Sequence, residues 1–317
     1  MSSLIEQATQ RLEQLRQAGA VMPNALALPA TAHDDTNKNL DSESAVAVET
    51  KVPAAPIAPN PVSFSRRVEI DFQVLEAAGI VSPAAPRTQI ADQYRVIKRP
   101  LIRNAMGRGA SLVANGNLIM VTSSLPGEGK SFTAINLAMS IATELDNTVM
   151  LVDADVARPS VLRVLGLPPA PGLLDLVVDE STDLSRVLLK TNIDKLTILP
   201  SGTPHPRATE LLASEAMKRL LDNIANRYSD RIIVFDSPPL LLTTESRVLA
   251  THMGQIVMVV HAAKTLQSDV RAAMAAIEAC PLKMMVLNQS RSTSLASGGY
   301  GYGYGYGYGY GEEQTAR

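Results

Sequence analysis

Across 317 residues there is one cysteine, Cys280. A single thiol permits no internal disulfide, which fits a reducing cytoplasm. No apolar run reaches the roughly 18–20 residues needed to span a bilayer, and the opening MSSLIEQATQ lacks the shape of a signal peptide. The chain is therefore expected to be soluble. A basic surplus is missing too: the formal net charge is −2, which argues against bulk electrostatic binding to nucleic acid. What is present is ample apolar material. At 46% hydrophobic residues, a chain of this length can fill the core of one large α/β domain or two ordinary ones.

Residues 3–18 (SLIEQATQRLEQLRQA) carry Leu4, Ile5, Ala8, Leu12 and Leu15 at helical spacing, so 1–20 reads as an amphipathic helix. An isolated helix of that length is only marginally stable in water, and a membrane or partner surface is the alternative use of its apolar face. Residues 21–87 are rich in Ala and Pro and read as a flexible linker. Within them VEIDFQVLEAAGIVSP is more apolar and could dock on the domain that follows. A helix is expected from Thr88 to Arg99, ended by Pro100. Then short apolar β-branched runs alternate with helical patterns: NLIMVTSS, a helix over 130–144, NTVMLVD, KLTILPSG, a helix over 208–227, RIIVFDSPP, QIVMVVHA, a helix over 266–279, and KMMVLNQS. Strands that are apolar throughout are buried on both faces, so 88–290 reads as a doubly wound α/β domain with a mostly parallel sheet.

Chemistry is concentrated at three strand ends. In VTSSLPGEGKS a strand runs into a Pro/Gly loop, and Lys130 and Ser131 open a helix. Such a loop aims backbone N–H groups and a helix N-terminus at phosphates, while the lysine reaches the β- and γ-phosphates and the serine holds Mg²⁺. The usual first glycine is replaced by Ser124, but the flanking strand and helix supply the expected context. In VMLVDADVARPS, Asp153 and Asp155 leave a strand tip, and in RIIVFDSPPL Asp236 leaves another. Carboxylates at the carboxyl edge of such a sheet suit a hard divalent cation that holds phosphates. A lone Asp there is often only a turn or helix cap; three beside a phosphate loop point to a site.

These motifs together, with the tail GGYGYGYGYGYGYG, resemble the bacterial tyrosine kinase family, the P-loop enzymes of polysaccharide synthesis and export. The resemblance covers about residues 88–311. It implies that Pro126, Gly127, Glu128, Gly129, Lys130, Ser131 and Phe132 bind ATP, that Ser131, Asp153, Asp155 and Asp236 hold Mg²⁺, and that Asp153 is the base toward a tyrosine hydroxyl. Lys130, Asp155 and Asp236 complete the catalytic set, and Asn288 is placed near adenine, although a turn Asn reads equally well there. Ala157 stands where the family often has a basic residue, which leaves the group that meets the transferring phosphoryl open. Asp92, Arg95 and Lys98, three apart on one helix face, look like the family's ring-forming motif; an ordinary solvated face is the plainer reading. The resemblance further implies a cytoplasmic protein at the inner membrane, activated by a separate membrane protein that controls polysaccharide chain length, and reversal by a tyrosine phosphatase. No HRD, DFG or nucleotide-site GxGxxG of the eukaryotic kinases occurs.

The tail, 291–317, is then read as a substrate, with Tyr300, Tyr302, Tyr304, Tyr306, Tyr308 and Tyr310 as the acceptors. As a Gly-rich coil, the stretch from Ser290 to Tyr310 spans roughly 25 Å on average and about 70 Å at full stretch, enough to reach its own site or a neighbour's. Two other readings exist: a partitioning ATPase of the ParA/MinD type, which carries a second lysine where this chain has Leu125, and a catalytically silent nucleotide-binding assembly module. Each phosphotyrosine adds about −1.5 to −2 charges, and alternate tyrosines sit about 7 Å apart, inside the Debye length. A modified tail is therefore expected to leave an acidic site and loosen a ring. An identical size-exclusion profile before and after ATP treatment would contradict this.

Overall fold

The structure, a computed structural model, describes residues 65–290 apart from 86, 110, 111 and 229. The helix expected over 1–20, the linker up to 64 and the tyrosine tail lie outside the described residues.

Eight strands, β1 (Arg66–Arg67), β2 (Leu118–Ser123), β3 (Thr148–Asp153), β4 (Leu189–Lys190), β5 (Leu196–Leu199), β6 (Arg231–Asp236), β7 (Gln255–His261) and β8 (Leu282–Asn288), form one sheet in the order β1-β4-β5-β3-β6-β2-β7-β8. Among these pairs only β4 and β5 run antiparallel. The central strands are apolar throughout because both faces are covered. Met120, Met150, Val152, Ile233, Phe235 and Met258 pack into one core cluster. Their alternate neighbours Ile119, Val121, Leu151, Ile232, Val234 and Val257 pack into the other. This period of two along each strand divides the interior into two layers, as a doubly wound α/β fold of the P-loop type requires.

The helices Leu173–Val178, Ala208–Leu212, Glu215–Arg227 and Glu245–Ala250 contribute to the first layer. The helices Phe72–Ala77, Gln89–Ala105 and Lys130–Ala142 contribute to the second. Lys130–Ala142 is almost wholly buried, which explains why its sequence, KSFTAINLAMSIA, shows no polar face.

Three expectations need correction. The linker does not extend to residue 87: Ile70, Leu75, Ile80 and Val81 are buried in the second layer, and Asp71 caps the helix Phe72–Ala77 by accepting from the Gln73 N–H. Two side-chain bonds tie this segment down. Asn192 Oδ1 accepts from Ile70 N at 2.9 Å, and Asn136 Oδ1 from Val81 N at 2.7 Å. Pro100 does not end its helix, which runs from Gln89 to Ala105. The buried stripe Ala91, Tyr94, Lys98, Leu101 continues across the proline, and the carbonyl that loses its partner belongs to Val96, on the solvent side. The single helix expected over 208–227 is two, because the Ser214 hydroxyl accepts from Met217 N–H and starts a new one.

At the outer edge, β8 alternates half-buried and exposed residues rather than being buried throughout, since β7 is its one partner. Leu75→Ala removes a fully buried side chain from the docked segment. It is expected to destabilise the domain by about 2–5 kcal/mol, read as a lower denaturation midpoint at unchanged slope. Wild-type stability in the variant would mean that residues 65–85 only rest on the surface.

Candidate active site

Strand β2 ends at Ser123, and the chain turns through Leu125–Gly129 into the helix Lys130–Ala142. Gly127 and Gly129 take φ of 83° and 95°, the left-handed region where a side chain is disfavoured. At Gly129 a second constraint applies: a Cβ would lie 2.0 Å from Asn288 Nδ2. The loop is braced from three directions. Glu128 is buried, and its carboxylate accepts from Leu125 N at 2.9 Å and from the Thr265 hydroxyl in the turn after β7. Asn288 Nδ2, at the end of β8, donates to Glu128 O at 2.9 Å, and Gln289 Nε2 donates to Gly127 O at 3.3 Å.

The register of the sheet sets Asp153 directly opposite Asp236 and Val121 opposite Asp236. Lys130 reaches into this corner, its Nζ lying 2.6 Å from Asp155 Oδ2 and 3.9 Å from Asp236 Oδ1. Asp153 is 1% exposed and accepts through Oδ2 from Ser160 N and Val161 N, both at 3.0 Å. The Ser160 hydroxyl donates to Asp236 Oδ2 at 3.4 Å. Removal from water pushes the Asp153 carboxyl up to about 7, and the neighbouring Asp236 adds to the rise, against the two backbone donors. Burial pushes Asp236 up to about 6, opposed first by Lys130 and then by the Ser131 hydroxyl.

A cavity of about 410 Å³ opens over the loop, lined by Gly127, Lys130, Ser131, Asp155, Arg158 and Arg163 among others. A larger one of about 680 Å³ lies beside it, between the helix Gln89–Ala105 and β8; Phe132 lines both, and Asn288 lines the larger. The buried Oδ1 atoms of Asp153 and Asp236 have no hydrogen-bond partner. A hydrated cation and phosphate oxygens fit those orphaned acceptors and the empty cradle. Among the described residues no three His, Cys, Asp or Glu side chains converge on one ion-sized point. The donor set therefore suits Mg²⁺, which keeps waters and binds through few carboxylates plus phosphate, and not a caged metal.

The structure brings Pro126, Gly127, Gly129, Lys130, Ser131, Phe132 and Asp155 together around one cavity, with Asp153 and Asp236 behind it. Three residues behave differently from expectation. The Glu128 side chain points inward and holds the loop, leaving only its backbone toward a phosphate. Asn288 is engaged with the loop through its amide. Lys98 faces no partner chain: it is 2% exposed, pairs with Glu144 at 2.6 Å and donates to Ser140 O, capping the C-terminal end of the Lys130–Ala142 helix. Asp92 and Arg95 pair with each other on the exposed face. Arg163, Ser160, Thr265 and Gln289 were missed, because nothing in their local sequence marks them; Arg158 and Arg163 both line the phosphate-sized cavity opposite Ala157.

Because the folded chain keeps the Asp153 proton up to about pH 7 while the unfolded chain releases it near 4, the folded state binds more protons between those values. Stability of the ligand-free protein therefore falls as pH rises from about 4 to about 7 and levels above. Asp153→Asn retains an acceptor for the two backbone donors and removes the titration. Melting temperatures measured from pH 5 to 8 should fall less steeply in the variant, and parallel curves would exclude the assignment.

A family described as an AAA domain matches residues 116–278. The tyrosine-protein kinase YwqD of Bacillus subtilis is 30% identical over 206 residues, covering 65% of this chain and 83% of that protein. The succinoglycan biosynthesis transport protein ExoP of Rhizobium meliloti is 30% identical over 190 residues, 59% of this chain but 23% of its own length. Thus the chain spans most of one relative and about a quarter of another. Among solved structures, the chimerical protein CapA2B2 superposes with a TM-score of 0.55 at 26% identity, covering 70% of this chain and 93% of that one. With the P-loop, the two acid-tipped strands and the tyrosine tail in one order, this chain belongs to the bacterial tyrosine-protein kinase family.

Proposed function

We propose that this chain is an ATP-dependent protein-tyrosine kinase that phosphorylates Tyr300, Tyr302, Tyr304, Tyr306, Tyr308 and Tyr310 of its own kind, in trans within a homo-oligomer, and so regulates exopolysaccharide synthesis or export. The observation that carries the reading is Lys130, held 2.6 Å from Asp155 at the mouth of a glycine-turned loop, with Asp153 and Asp236 buried behind it.

Phosphoryl transfer asks the protein for positioning and charge more than for covalent chemistry. The N–H groups of 126–131 cradle the phosphates of ATP, and Lys130 exchanges its carboxylate partner for the β- and γ-phosphate oxygens. Ser131, Asp153, Asp155 and Asp236 furnish oxygen ligands for Mg²⁺, directly or through water. That ion neutralises charge on the phosphates. Arg158 and Arg163, which line the same cavity, take the place of the basic residue that Ala157 lacks. The tyrosine oxygen bonds to the γ-phosphorus as the bond to the β,γ-bridging oxygen breaks. The phenolic proton passes to Asp153, whose raised pKa lies close to working pH, where a general base acts best. The nucleoside extends past Phe132 toward Asn288 and the larger cavity.

The polysaccharide connection rests on the name of the Rhizobium meliloti relative, a succinoglycan biosynthesis transport protein. Among the described residues no helix is long and apolar enough to cross a membrane. A separate membrane protein is accordingly proposed as the activator, the kinase standing at the cytoplasmic side of the inner membrane, with a tyrosine phosphatase to reset it. Asp92 and Arg95 remain as the exposed candidates for contact between copies. The partitioning ATPase reading is disfavoured by Leu125, an apolar residue at the position of the second lysine.

Intact mass after incubation with ATP and Mg²⁺ is the direct test. Several whole phosphates per chain are expected for the wild type, and none for Lys130→Met or for a chain ending at Ser290. ATP hydrolysis without added mass, even with a candidate membrane activator present, would favour the partitioning-type ATPase.

A further inference from the structure

Behind the phosphate-lined cavity lies a third one, of about 530 Å³, that the preceding mechanism leaves unused. It sits between the turn after β3 and the loop after β5. Asp153 and Arg163 are the ionisable residues on its lining, and the rest is mainly apolar: Leu162, Leu167, Ala170 and three prolines. Pro159, Pro169 and Pro204 are exposed and form its rim. Arg163 also lines the phosphate-sized cavity, so the two spaces meet at this side chain. The partition between them is the turn in which Asp153 accepts from Ser160 N and Val161 N. Its Oδ2 is thus engaged, and its Oδ1, buried and without a hydrogen-bond partner, is left over.

The far wall is built to stay open. Leu173 N–H donates to Pro200 O at 2.8 Å and Leu174 N–H to Ser201 O at 3.0 Å. Asp175 Oδ2 accepts from Gly172 N at 2.7 Å and from Thr203 N at 3.0 Å. These four bonds fix the loop 200–204 to the helix Leu173–Val178, and Gly172 allows the approach, since a Cβ there would meet Pro200 O at 2.0 Å. A preformed apolar space of this size, with one acid at its inner end, is what a single phenol needs: ring on apolar wall, hydroxyl toward a carboxylate.

Resting on the kinase reading, we propose that this cavity receives the acceptor side chain, a tyrosine flanked by glycines, supplied by the 298–311 segment of another copy of this chain. The alternation of Gly and Tyr matches the site on two counts. A rim of three prolines leaves little room for bulk on either side of an entering ring, and glycine brings no side chain. Each entering tyrosine also meets the same geometry, so successive residues of the repeat serve as equivalent substrates. Because the cavity adjoins the phosphate site through Arg163 and Asp153, an occupant's oxygen is directed at the side of the site opposite the phosphate loop.

The test uses the full-length chain with its six tail tyrosines changed to serine, so that a labelled peptide GGYGYG is the sole Gly/Tyr acceptor. Peptide binding by fluorescence anisotropy, phosphate transfer to the peptide and nucleotide affinity are measured for this chain and for two added changes, Ala170→Phe and Pro204→Trp, which intrude from opposite walls. Expected is a loss of roughly tenfold or more in peptide affinity and in kcat/KM for the peptide, with nucleotide affinity and melting temperature held. Unchanged peptide binding in either variant that retains its melting temperature overturns the cavity assignment while leaving the kinase reading intact. Loss of nucleotide affinity in place of peptide affinity overturns it as well, since the cavity would then belong to ATP. Peptide binding without any transfer, in the presence of ATP and Mg²⁺, counts instead against the kinase reading and supports the cavity as a tyrosine receptor.

Discussion

Strand β6 lies between β3 and β2 in parallel, and the register of those pairings sets Asp153 across from Asp236. Parallel strands deliver all their carboxyl ends to one edge, so the acids and the phosphate loop after β2 cannot avoid one another. Two buried carboxylates side by side are costly, because each has left water and each repels the other. Their ionisation is accordingly pushed upward, and Lys130 with the Ser131 and Ser160 hydroxyls offsets part of the cost for Asp236. The remaining deficit is visible as carboxylate oxygens with no partner. An anionic phosphate brought in with its cation would relieve that deficit, since the lysine can turn to the phosphate while the cation faces the acids.

Around this corner the fold adds support from elements far apart in sequence. Glu128, Thr265, Asn288 and Gln289 hold the phosphate loop to the ends of β7 and β8. At the opposite end of the Lys130–Ala142 helix, Lys98 bonds to Ser140 O and Glu144, so the helix Gln89–Ala105 grips the element whose start carries the phosphate site. The same helix presents Asp92 and Arg95 outward. One helix thus has an inner ionic anchor and an outer charged face. A third cavity shares Asp153 and Arg163 with the reacting corner, and its walls are held apart by bonds between backbone groups and Asp175. Space for an acceptor is built into the scaffold, next to the acid that needs it.

Much of this was legible in advance. The apolar runs LIMVTS, TVMLVD and RIIVFD identify strands buried on both faces, and the glycines at 127 and 129 with Lys130 and Ser131 identify the phosphate loop. Errors arose where a local signal met a non-local partner. Pro100 reads as a helix end, yet burial of Leu101 carries the helix past it. Residues 65–85 read as linker because their few apolar side chains have no surface to cover until the second layer is assembled. Lys98 reads as a surface charge because its carbonyl and carboxylate partners lie over 40 residues away.

The sequence by itself determined the elements, the loop chemistry and the acids at the strand ends, because side-chain periodicity and the glycine requirement of positive φ are properties of neighbouring residues. Only the tertiary structure decided which polar groups would be engaged and which left for a ligand. Glu128 and Lys98 are ordinary charged residues in the chain and become internal braces in the fold, whereas Asp153 keeps one oxygen without a partner. That choice depends on strand register and helix packing, where groups distant in sequence compete for the same hydrogen bonds in space left by water.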